Sequence, residues 1–373
     1  MTLYYEYYSV TCLASSYHYM QLPREVIVGK GTLCRVPEVV RRLGLKGPAL
    51  IIAGQKSCEI AGNAVRNLLV QAGITVDTLL VPSATIRDVL AVEERIAEFK
   101  PQVLFGVGGG TKIDVAKLSS AHQEIPFVSV PTTLSHDGIA SPLASIKGFD
   151  KPYSAMSQAP LAIIADTQII AQEPWRFVVS GCGDVISKFT AVKDWRLAHI
   201  ERNEYYGEYA ASLALMSATL IEENADRIQR DNEEGTQLLL EALISCGVAM
   251  SIAGNSRPCS GSEHLFSHAL DSVKTTGAMH GEQCGVGSIM MTYLYGANWK
   301  RIRDTLRRLG APTTAAELGV ADEDVVKALE LAATIRPERY TILQKLNLDY
   351  DACEKEAKTT EIINKTILKK MKR

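Results

Sequence analysis

Short β-branched runs alternate with longer helical stretches between Glu25 and Asp166, and no other feature of the sequence limits the possible folds as much. The predicted strands are Glu25–Val28, Ala49–Ala53, Thr75–Val81, Gln102–Gly106, Phe127–Val130 and Leu161–Ala165. The predicted helices lie between them, near 33–43, 58–72, 88–99 and 111–121. Apolar strands that are separated by helices indicate a parallel sheet with both faces covered. We therefore predict a doubly wound α/β N-terminal half with a mostly parallel sheet.

The β-rich runs stop after Gln168. Long segments such as 206–223 and 235–252 then carry apolar residues at helical spacing. Helix-stop and turn residues, including Gly254 and Pro258, separate the segments that follow. The C-terminal half is therefore predicted to be all-α.

The length of the chain, 373 residues, is too great for one ordinary compact core and suits two domains. We predict an α/β domain at residues 22–166, a helical domain at residues 167–373 and a cleft between them. Residues 1–21 fit neither domain. We expect them to be a disordered lead-in, or to result from a start codon placed upstream of the true one near Met20.

Composition excludes several classes of function. The 40 basic and 42 acidic residues give a formal charge of −2, so no global field favours nucleic acid or an anionic membrane. No apolar run approaches the roughly 18 residues that span a bilayer, and the N-terminus lacks the pattern of a signal peptide. The 8 cysteines are scattered without a Cys-x-x-Cys pair, which fits a reducing cytoplasm. We expect a cytoplasmic homodimer or larger homo-oligomer that acts on a small molecule.

A glycine cluster follows the predicted strand at 102–106 and opens the next helix, in the order Gly108-Gly-Gly-Thr-Lys-Ile-Asp114. Glycines let the backbone approach a ligand, and a helix N-terminus offers unpaired N–H groups to a pyrophosphate. The pattern departs from G-x-G-x-x-G, because Thr111 stands where the third glycine would fall. A turn kept only for strand-to-helix packing is the alternative. The position of the glycine cluster at the carboxyl end of a parallel strand favours a dinucleotide site.

A second polar segment follows the next strand, in the order Pro131-Thr-Thr-Leu-Ser135-His-Asp137-Gly-Ile-Ala-Ser141. It offers hydroxyl groups and one carboxylate to the same crevice, although an ordinary polar turn has a similar composition. No acidic residue follows the strand at 49–53, where an NAD-selective site would hold the adenosine ribose. A 2′-phosphate need not be rejected there, so we predict the use of both NAD and NADP.

Three of the 7 histidines lie close together in the sequence, at His264, His268 and His280. His264 and His268 are four apart, so they share one face of a helix. Three imidazoles, or two and a carboxylate, with an open fourth position are typical of a catalytic site for zinc or a similar divalent ion. Asp184, which follows Gly-Cys-Gly, is a plausible carboxylate ligand. A single histidine is more often structural, but the clustering favours a metal site.

A divalent ion beside a nicotinamide cofactor predicts dehydrogenase chemistry. The ion polarises an alcohol or carbonyl oxygen, and the cofactor gives or accepts hydride at the adjacent carbon. A proton must also reach or leave that oxygen. If Asp184 is the third ligand, His268 is free to contact the substrate or to carry that proton. We predict a metal-dependent dehydrogenase of a small polyol or polyol phosphate.

Together these motifs resemble those of the archaeal sn-glycerol-1-phosphate dehydrogenases, from about residue 22 to the C-terminus. The most specific segment is Ser256-Arg-Pro-Cys-Ser-Gly-Ser-Glu-His264. The superfamily includes glycerol dehydrogenase, iron-type alcohol dehydrogenases and dehydroquinate synthase. The resemblance implies a dehydroquinate synthase-like fold. It also implies reduction of dihydroxyacetone phosphate to sn-glycerol 1-phosphate with NADH or NADPH, which supplies the backbone of archaeal ether lipids.

The resemblance further implies roles for individual residues. One divalent metal, which we expect to be zinc, would be held by Asp184, His264 and His280. Asp137, Asp184 and His268 would bind the substrate and take part in catalysis. The cofactor contacts would be Gly108, Gly109, Gly110, Thr111, Lys112, Ile113, Asp114, Thr132, Thr133, Leu134, Ser135 and Ser141.

Other functions stay open. A glycerol dehydrogenase would share both sites but needs no phosphate pocket, for which Arg257 and the N–H groups of residues 260–262 are our hypothesis. A dehydroquinate synthase-like lyase would need more basic groups near the site than Lys188, Arg257 and Lys274. A non-catalytic cofactor-binding protein would have no use for an open metal position.

Overall fold

The computed structural model of the protein describes residues 18–148, 153–230, 232–274 and 277–364. Most of the predicted lead-in at residues 1–21 lies outside the described residues. The strands are β1 (Glu25–Gly29), β2 (Ala49–Ala53), β3 (Val76–Leu80), β4 (Val103–Gly108), β5 (Phe127–Pro131), β6 (Leu143–Ile146), β7 (Tyr153–Met156) and β8 (Ala162–Asp166).

One parallel sheet of 6 strands has the order β1-β8-β5-β4-β2-β3, which confirms the doubly wound prediction. Strands β2, β4, β5 and β8 are buried at every residue, because their mostly apolar side chains are covered on both faces. The order reverses between β2 and β4, and such a switch point leaves a crevice beyond the carboxyl ends of the strands. At the same edge, Gly108 ends β4 opposite Pro131 at the end of β5.

A short antiparallel hairpin of β6 and β7, which the sequence does not predict, follows β5. Leu143 pairs with Met156 and Ile146 with Tyr153. These strands of 4 residues contain mainly small or polar residues between their ends, so their periodicity is too weak to indicate a strand. The hairpin is fixed to the sheet domain by the Ser145 N–H group, which donates to the carboxylate of Asp114 at 3.1 Å.

Helices cover the sheet and make up most of the rest of the described chain. They are α1 (Val36–Arg42), α2 (Gln55–Ser57), α3 (Asn63–Gln71), α4 (Ile86–Phe99), α5 (Gly110–His122), α6 (Thr167–Ile170), α7 (Trp175–Ile186), α8 (Lys188–Arg202), α9 (Glu208–Glu223), α10 (Glu233–Ala253), α11 (Ser262–Val273), α12 (His280–Leu294), α13 (Trp299–Arg308), α14 (Ala315–Leu318), α15 (Asp322–Ile335), α16 (Ile342–Leu346) and α17 (Tyr350–Thr359). Every element described after residue 166 is a helix, which confirms the all-α prediction for this half.

Local sequence fixes where several helices begin. The Thr85 hydroxyl accepts from the Asp88 N–H group at the start of α4, and the Asp88 carboxylate accepts from the Thr85 N–H group at 2.9 Å. Asn232 caps α10 in the same way, through the Gly235 N–H group. Helix α5 differs, because it begins after Gly109 with no side-chain cap. Its first N–H groups therefore stay available to a ligand.

Apolar packing joins the two halves of the chain. One buried cluster extends from the sheet face covered by α4 and α5 into the helices that follow residue 166. A second cluster, under α1 and α3, covers the opposite face of the sheet. The change from strands to helices falls at residue 166, as predicted. The apolar core nevertheless continues across it, and the division into two domains stays a prediction.

Helix α10 is the one described helix that is long and apolar enough to cross a membrane, with a mean hydropathy of 1.6. Of its apolar window, 67% is buried inside the protein. Leu239, Leu243 and Cys246 are fully buried in the shared core. Helix α10 thus packs as a core helix.

Candidate active site

Three consecutive glycines turn the chain from β4 into α5. Gly108 has a φ of +150°, which L residues with a side chain rarely adopt. A Cβ atom on Gly109 would lie 2.7 Å from Thr133 Oγ1, and one on Gly110 only 1.9 Å from His136 Nε2. The segment after β5 approaches the turn so closely that only glycine fits.

A cleft of about 600 Å³ opens beside this turn. Its walls come from the loop after β2, the first turn of α5, the segment after β5 and the helical half, which contributes His280. The uncapped N-terminus of α5 suits a pyrophosphate, because its partial positive charge and unpaired N–H groups attract an anion. One cleft therefore extends from the glycine turn to His280.

The predicted cofactor residues fall into two groups. Those that line the cleft are Gly109, Gly110, Thr111, Lys112, Thr132, Thr133 and Ser135. Those outside its described lining are Gly108, Ile113, Asp114, Leu134 and Ser141. Asp114 is buried and binds Lys117 Nζ at 3.0 Å, so its carboxylate stabilises the interior. A direct contact with a cofactor stays a prediction for these residues.

Two buried oxygen atoms of the cleft-lining residues, Thr133 Oγ1 and Glu173 Oε1, have no hydrogen-bond partner among the described residues. The other oxygen of Glu173 accepts from the Leu134 N–H group at 2.9 Å. Burial raises the pKa of Glu173 to about 8, so its carboxyl group is mostly protonated at neutral pH. Buried polar atoms are normally paired. Both atoms therefore fit a polar ligand such as a dinucleotide.

Asp184 lies near the end of α7 and is fully buried. Its Oδ1 atom is 2.8 Å from Lys188 Nζ, and its Oδ2 atom accepts from the Asp137 N–H group at 2.9 Å. Lys188 is also fully buried and lies 2.9 Å from Asp137 Oδ2. Burial opposes ionisation of Asp184, but the charge of Lys188 and then those of nearby histidines hold its pKa below the ordinary value. The carboxylate is thus ionised and suited to bind a cation.

Two imidazoles approach Asp184 from α11 and α12. His264 Nε2 is 3.6 Å from Asp184 Oδ1, and the ring centroids of His264 and His280 are 4.9 Å apart. The Nδ1 atom of His264 is 2.8 Å from Glu263 Oε1. The Nδ1 atom of His280 is 3.0 Å from Ser267 Oγ. Such outer partners orient an imidazole and leave its Nε2 atom to a metal.

A thiol lies beside these imidazoles. Cys284 Sγ is 3.6 Å from His280 Nε2, and the donor atoms of His264, His280 and Cys284 lie within 4.8 Å of one another. Burial raises the pKa of the Cys284 thiol well above its ordinary value, so an ion would first have to displace its proton, whereas Asp184 is already ionised. The ionised Asp184 is the better third donor. One carboxylate and two imidazoles fit a divalent ion such as zinc.

His268 lies one helical turn beyond His264 on α11, as predicted. Its ring stacks against that of His280 with the centroids 5.8 Å apart. Burial, followed by the positive charge of Arg336, lowers the pKa of His268 to about 3, so the ring is neutral at neutral pH. His268 adjoins the candidate metal ligands, where a substrate atom could contact it.

Sequence reasoning did not assign three residues that shape this site. Lys188 forms ion pairs with both Asp137 and Asp184, and its spacing of four from Asp184 is the only sequence signal for that role. Glu263 is fully buried beside His264 and also accepts from the Thr190 hydroxyl at 2.8 Å. Glu173 has no recognisable sequence signal.

Groups of the hypothesised phosphate pocket at the start of α11 already bind carboxylates of the protein, so this pocket stays a prediction. Arg257 forms a bidentate ion pair with Glu204, with Nε 2.6 Å from Oε1. The Ser262 N–H group donates to Asp194 Oδ2 at 2.6 Å. Asp194 lies on α8, far away in sequence, so the sequence pattern around α11 could not reveal that this helix terminus already binds a carboxylate.

The chain is similar to several known proteins. Residues 27–174 match the family model described as iron-containing alcohol dehydrogenase. The chain is 53% identical to a glycerol-1-phosphate dehydrogenase [NAD(P)+] from Methanosarcina mazei, over 95% of this chain and 99% of that protein. It is 51% identical to the protein of the same name from Pyrococcus furiosus, over 93% of this chain and 100% of that protein.

The fold also matches a solved structure. The crystal structure of glycerol dehydrogenase from Schizosaccharomyces pombe superposes with a TM-score of 0.78 at 21% identity, and the match covers 93% of this chain and 91% of that chain. This likeness confirms the fold that the sequence resemblance implies. On the strength of the near full-length identity to its relatives, the chain belongs to the glycerol-1-phosphate dehydrogenase family.

Proposed function

We propose that the protein reduces dihydroxyacetone phosphate to sn-glycerol 1-phosphate with NADH or NADPH, and so supplies the glycerol backbone of ether lipids. The observation that carries this proposal is the single cleft that both the glycine turn and His280 line. A dinucleotide bound at the turn would bring its nicotinamide towards the candidate metal ligands. The names of the near full-length relatives support the choice of substrate.

Asp184, His264 and His280 would hold one divalent ion, which we propose is Zn²⁺. When bound, such an ion supplies Lewis-acid polarisation of the substrate's carbonyl oxygen. The ion pair with Lys188 keeps the Asp184 carboxylate ionised. Glu263 and Ser267 fix the orientation of the two imidazoles.

His268 and Asp137 would contact the substrate. The neutral ring of His268 can donate one hydrogen bond and accept another, so it can position a hydroxyl group or pass a proton to it. Asp137 Oδ2 accepts from Lys188 Nζ at 2.9 Å, which fixes its carboxylate beside Asp184. These contacts would orient the carbonyl carbon for hydride transfer.

The glycine turn and the cleft wall would hold the dinucleotide. Gly109, Gly110 and Thr133 would receive the pyrophosphate, since the uncapped N-terminus of α5 lies there. Residues 54–57, which follow β2 and include α2, also line the cleft and contain no carboxylate that would repel a 2′-phosphate. We therefore propose that both NADH and NADPH serve.

A steady-state assay tests the function. Oxidation of NADH and of NADPH is followed with dihydroxyacetone phosphate and with unphosphorylated dihydroxyacetone, before and after chelation and after addition of Zn²⁺. In the reverse direction, sn-glycerol 1-phosphate and its 3-phosphate enantiomer are compared. We expect preference for the phosphorylated ketone and the 1-phosphate, loss on chelation and recovery with Zn²⁺. A clear preference for free glycerol or dihydroxyacetone would overturn the proposal.

Two further predictions accompany this function. We propose a cytoplasmic enzyme, which the free state of all described cysteines supports. We also propose a homo-oligomer, for which β1 and β3 are the edge strands available. Light scattering of the purified protein tests the second proposal, and a monomeric mass would contradict it.

A further inference from the structure

Two arginines in the turn after α15 lack a carboxylate partner. Arg336 forms no salt bridge with the residues that the structure describes, and only the charge of Glu338 offsets the lowering of its pKa by burial. Arg339 follows in the same turn, where its N–H group donates to Arg336 O at 3.0 Å. Its guanidinium donates to neutral oxygens, Ser256 Oγ at 2.6 Å and Ser260 O. Both side chains are half-buried.

Positive charge exceeds negative charge around this pair. Arg257 lies nearby, but Glu204 already neutralises it. Burial, followed by the charges of Arg336 and Arg257, lowers the pKa of Arg339 to about 9. The carboxylates of Glu204 and Glu263 act in the opposite direction and do not compensate. Charged groups removed from water normally have a counter-ion, so the pair suits an anion that the protein itself does not supply.

The arginine pair acts on the catalytic side of the helical half. Ser260, whose carbonyl oxygen accepts from Arg339, lies two residues before α11, the helix that carries His264 and His268. The positive charges of Arg336 and Arg339 both act on His268. The arginine pair therefore lies close enough to α11 for its charge to reach His268, whose ring stacks against the candidate metal ligand His280.

We propose that Arg336 and Arg339 bind the phosphate group of the substrate, with His268 next to them at the reacting end. This inference rests on the proposed function and names the residues that give it phosphate specificity. Guanidinium groups match phosphate oxygens in shape and charge. In a three-carbon ketone phosphate, one methylene and one ester oxygen separate the carbonyl carbon from the phosphorus. The phosphate site must therefore adjoin the reacting carbon, as the arginine pair adjoins His268.

Kinetics of variants test the assignment. Arg336→Ala should raise the KM for dihydroxyacetone phosphate on the order of 10- to 100-fold, as expected when a charged hydrogen-bond partner is removed. The KM for unphosphorylated dihydroxyacetone should not change. Arg336→Lys keeps the charge and should recover part of the loss. Arg202→Ala is the matched control, because Arg202 lies 4.4 Å from the ring of Tyr340 beside the same turn and should change neither KM.

Titration with inorganic phosphate gives a readout without turnover. Calorimetry on the full-length protein as purified should show weaker phosphate binding to Arg336→Ala and Arg339→Ala than to wild type and Arg202→Ala. Melting temperatures identify any loss of fold, which matters for Arg339 because it also holds Ser256 and Ser260. An unchanged KM for the ketone phosphate in Arg336→Ala, or equal phosphate binding in all folded proteins, would overturn the inference. If wild type does not turn over the ketone phosphate, the proposed function fails, whereas the titration still decides whether the arginines bind phosphate.

Discussion

The two sides of the cleft are built in different ways. The cofactor side consists mainly of backbone and small side chains from the loops after β2, β4 and β5, all at one edge of the sheet. The metal side consists of charged and imidazole side chains from separate helices, with Asp184, His264 and His280 at its centre. Cofactor binding should therefore depend on the space around the glycine turn. Metal binding should depend on the charge and the chemistry of the ligands. Substitutions on each side should affect one function and spare the other.

The largest effect is expected on the metal side. His264→Ala should lower kcat/KM about 10³-fold or more, since Lewis-acid stabilisation contributes several kcal/mol. The affinity for NADH, measured by fluorescence titration, should stay close to that of wild type. His122→Ala is the control, because His122 is an exposed residue paired with Glu93 at 2.7 Å. A parallel loss of NADH affinity in His264→Ala would show that the two sides are not independent.

Substituting a residue that hydrogen-bonds to a metal ligand should have a smaller effect than substituting the ligand itself. Glu263→Gln retains the shape of the side chain but weakens its hydrogen bond to His264 Nδ1. We expect a 10- to 100-fold lower metal affinity, the usual range for such partners, measured by competition with a fluorescent chelator. Gln237→Glu, at an exposed position on α10, serves as a charge control. Unchanged metal affinity in Glu263→Gln would mean that Glu263 does not orient His264.

On the cofactor side, the affinity for NADH should depend on the size of the side chain at position 110. Gly110→Ala places a Cβ atom 1.9 Å from His136 Nε2, so either the turn or the ring must move. Overpacking costs about 1–3 kcal/mol, and we expect the affinity for NADH to fall about tenfold or more. The bound metal, counted by mass spectrometry, should stay at the wild-type level. Gly277→Ala is the control, since its Cβ would meet nothing within 4 Å. Equal NADH affinities for the two variants would show that the glycine turn tolerates a methyl group.

The smallest expected effect concerns the pH dependence of stability. Burial raises the pKa of Glu173 from 4.5 to about 8, so the unfolded state binds fewer protons than the folded state between these values. The free energy of unfolding of wild type should therefore fall as pH rises through this interval, relative to Glu173→Gln. As the pH rises from 5 to 8, we expect the melting temperature of Glu173→Gln to increase by a few degrees relative to that of wild type. A constant difference in melting temperature would show that Glu173 is ionised in the folded protein.

The fold is predictable to the extent that burial leaves a pattern in neighbouring residues. Runs such as Ala49–Ala53 and Phe127–Pro131 are buried at every position, so their continuous apolar character reveals them. The hairpin of β6 and β7 has no such pattern and is missed. The glycine turn is recognisable because its residues are consecutive and follow a strand.

The site is predictable only where its members share a motif. His264 and His268 are revealed by their spacing, and Asp184 by its flanking glycines and by the family resemblance. The sequence could not show that Asp194, which comes from another helix, binds the start of α11, where the phosphate pocket was hypothesised. Arg336 and Arg339 follow α15, which packs on α11, and no local sequence pattern indicates that packing.

Lys188 has a consequence for how the protein is handled and assembled. Its ammonium group is fully buried between Asp137 and Asp184 and compensates the repulsion between the two carboxylates. The polypeptide therefore carries its own countercharge and should reach its native state before any ion arrives. Removal of the metal with a chelator should then leave a folded protein that binds metal again without refolding. The supply of metal would therefore set the number of active enzyme molecules but not the number of folded ones.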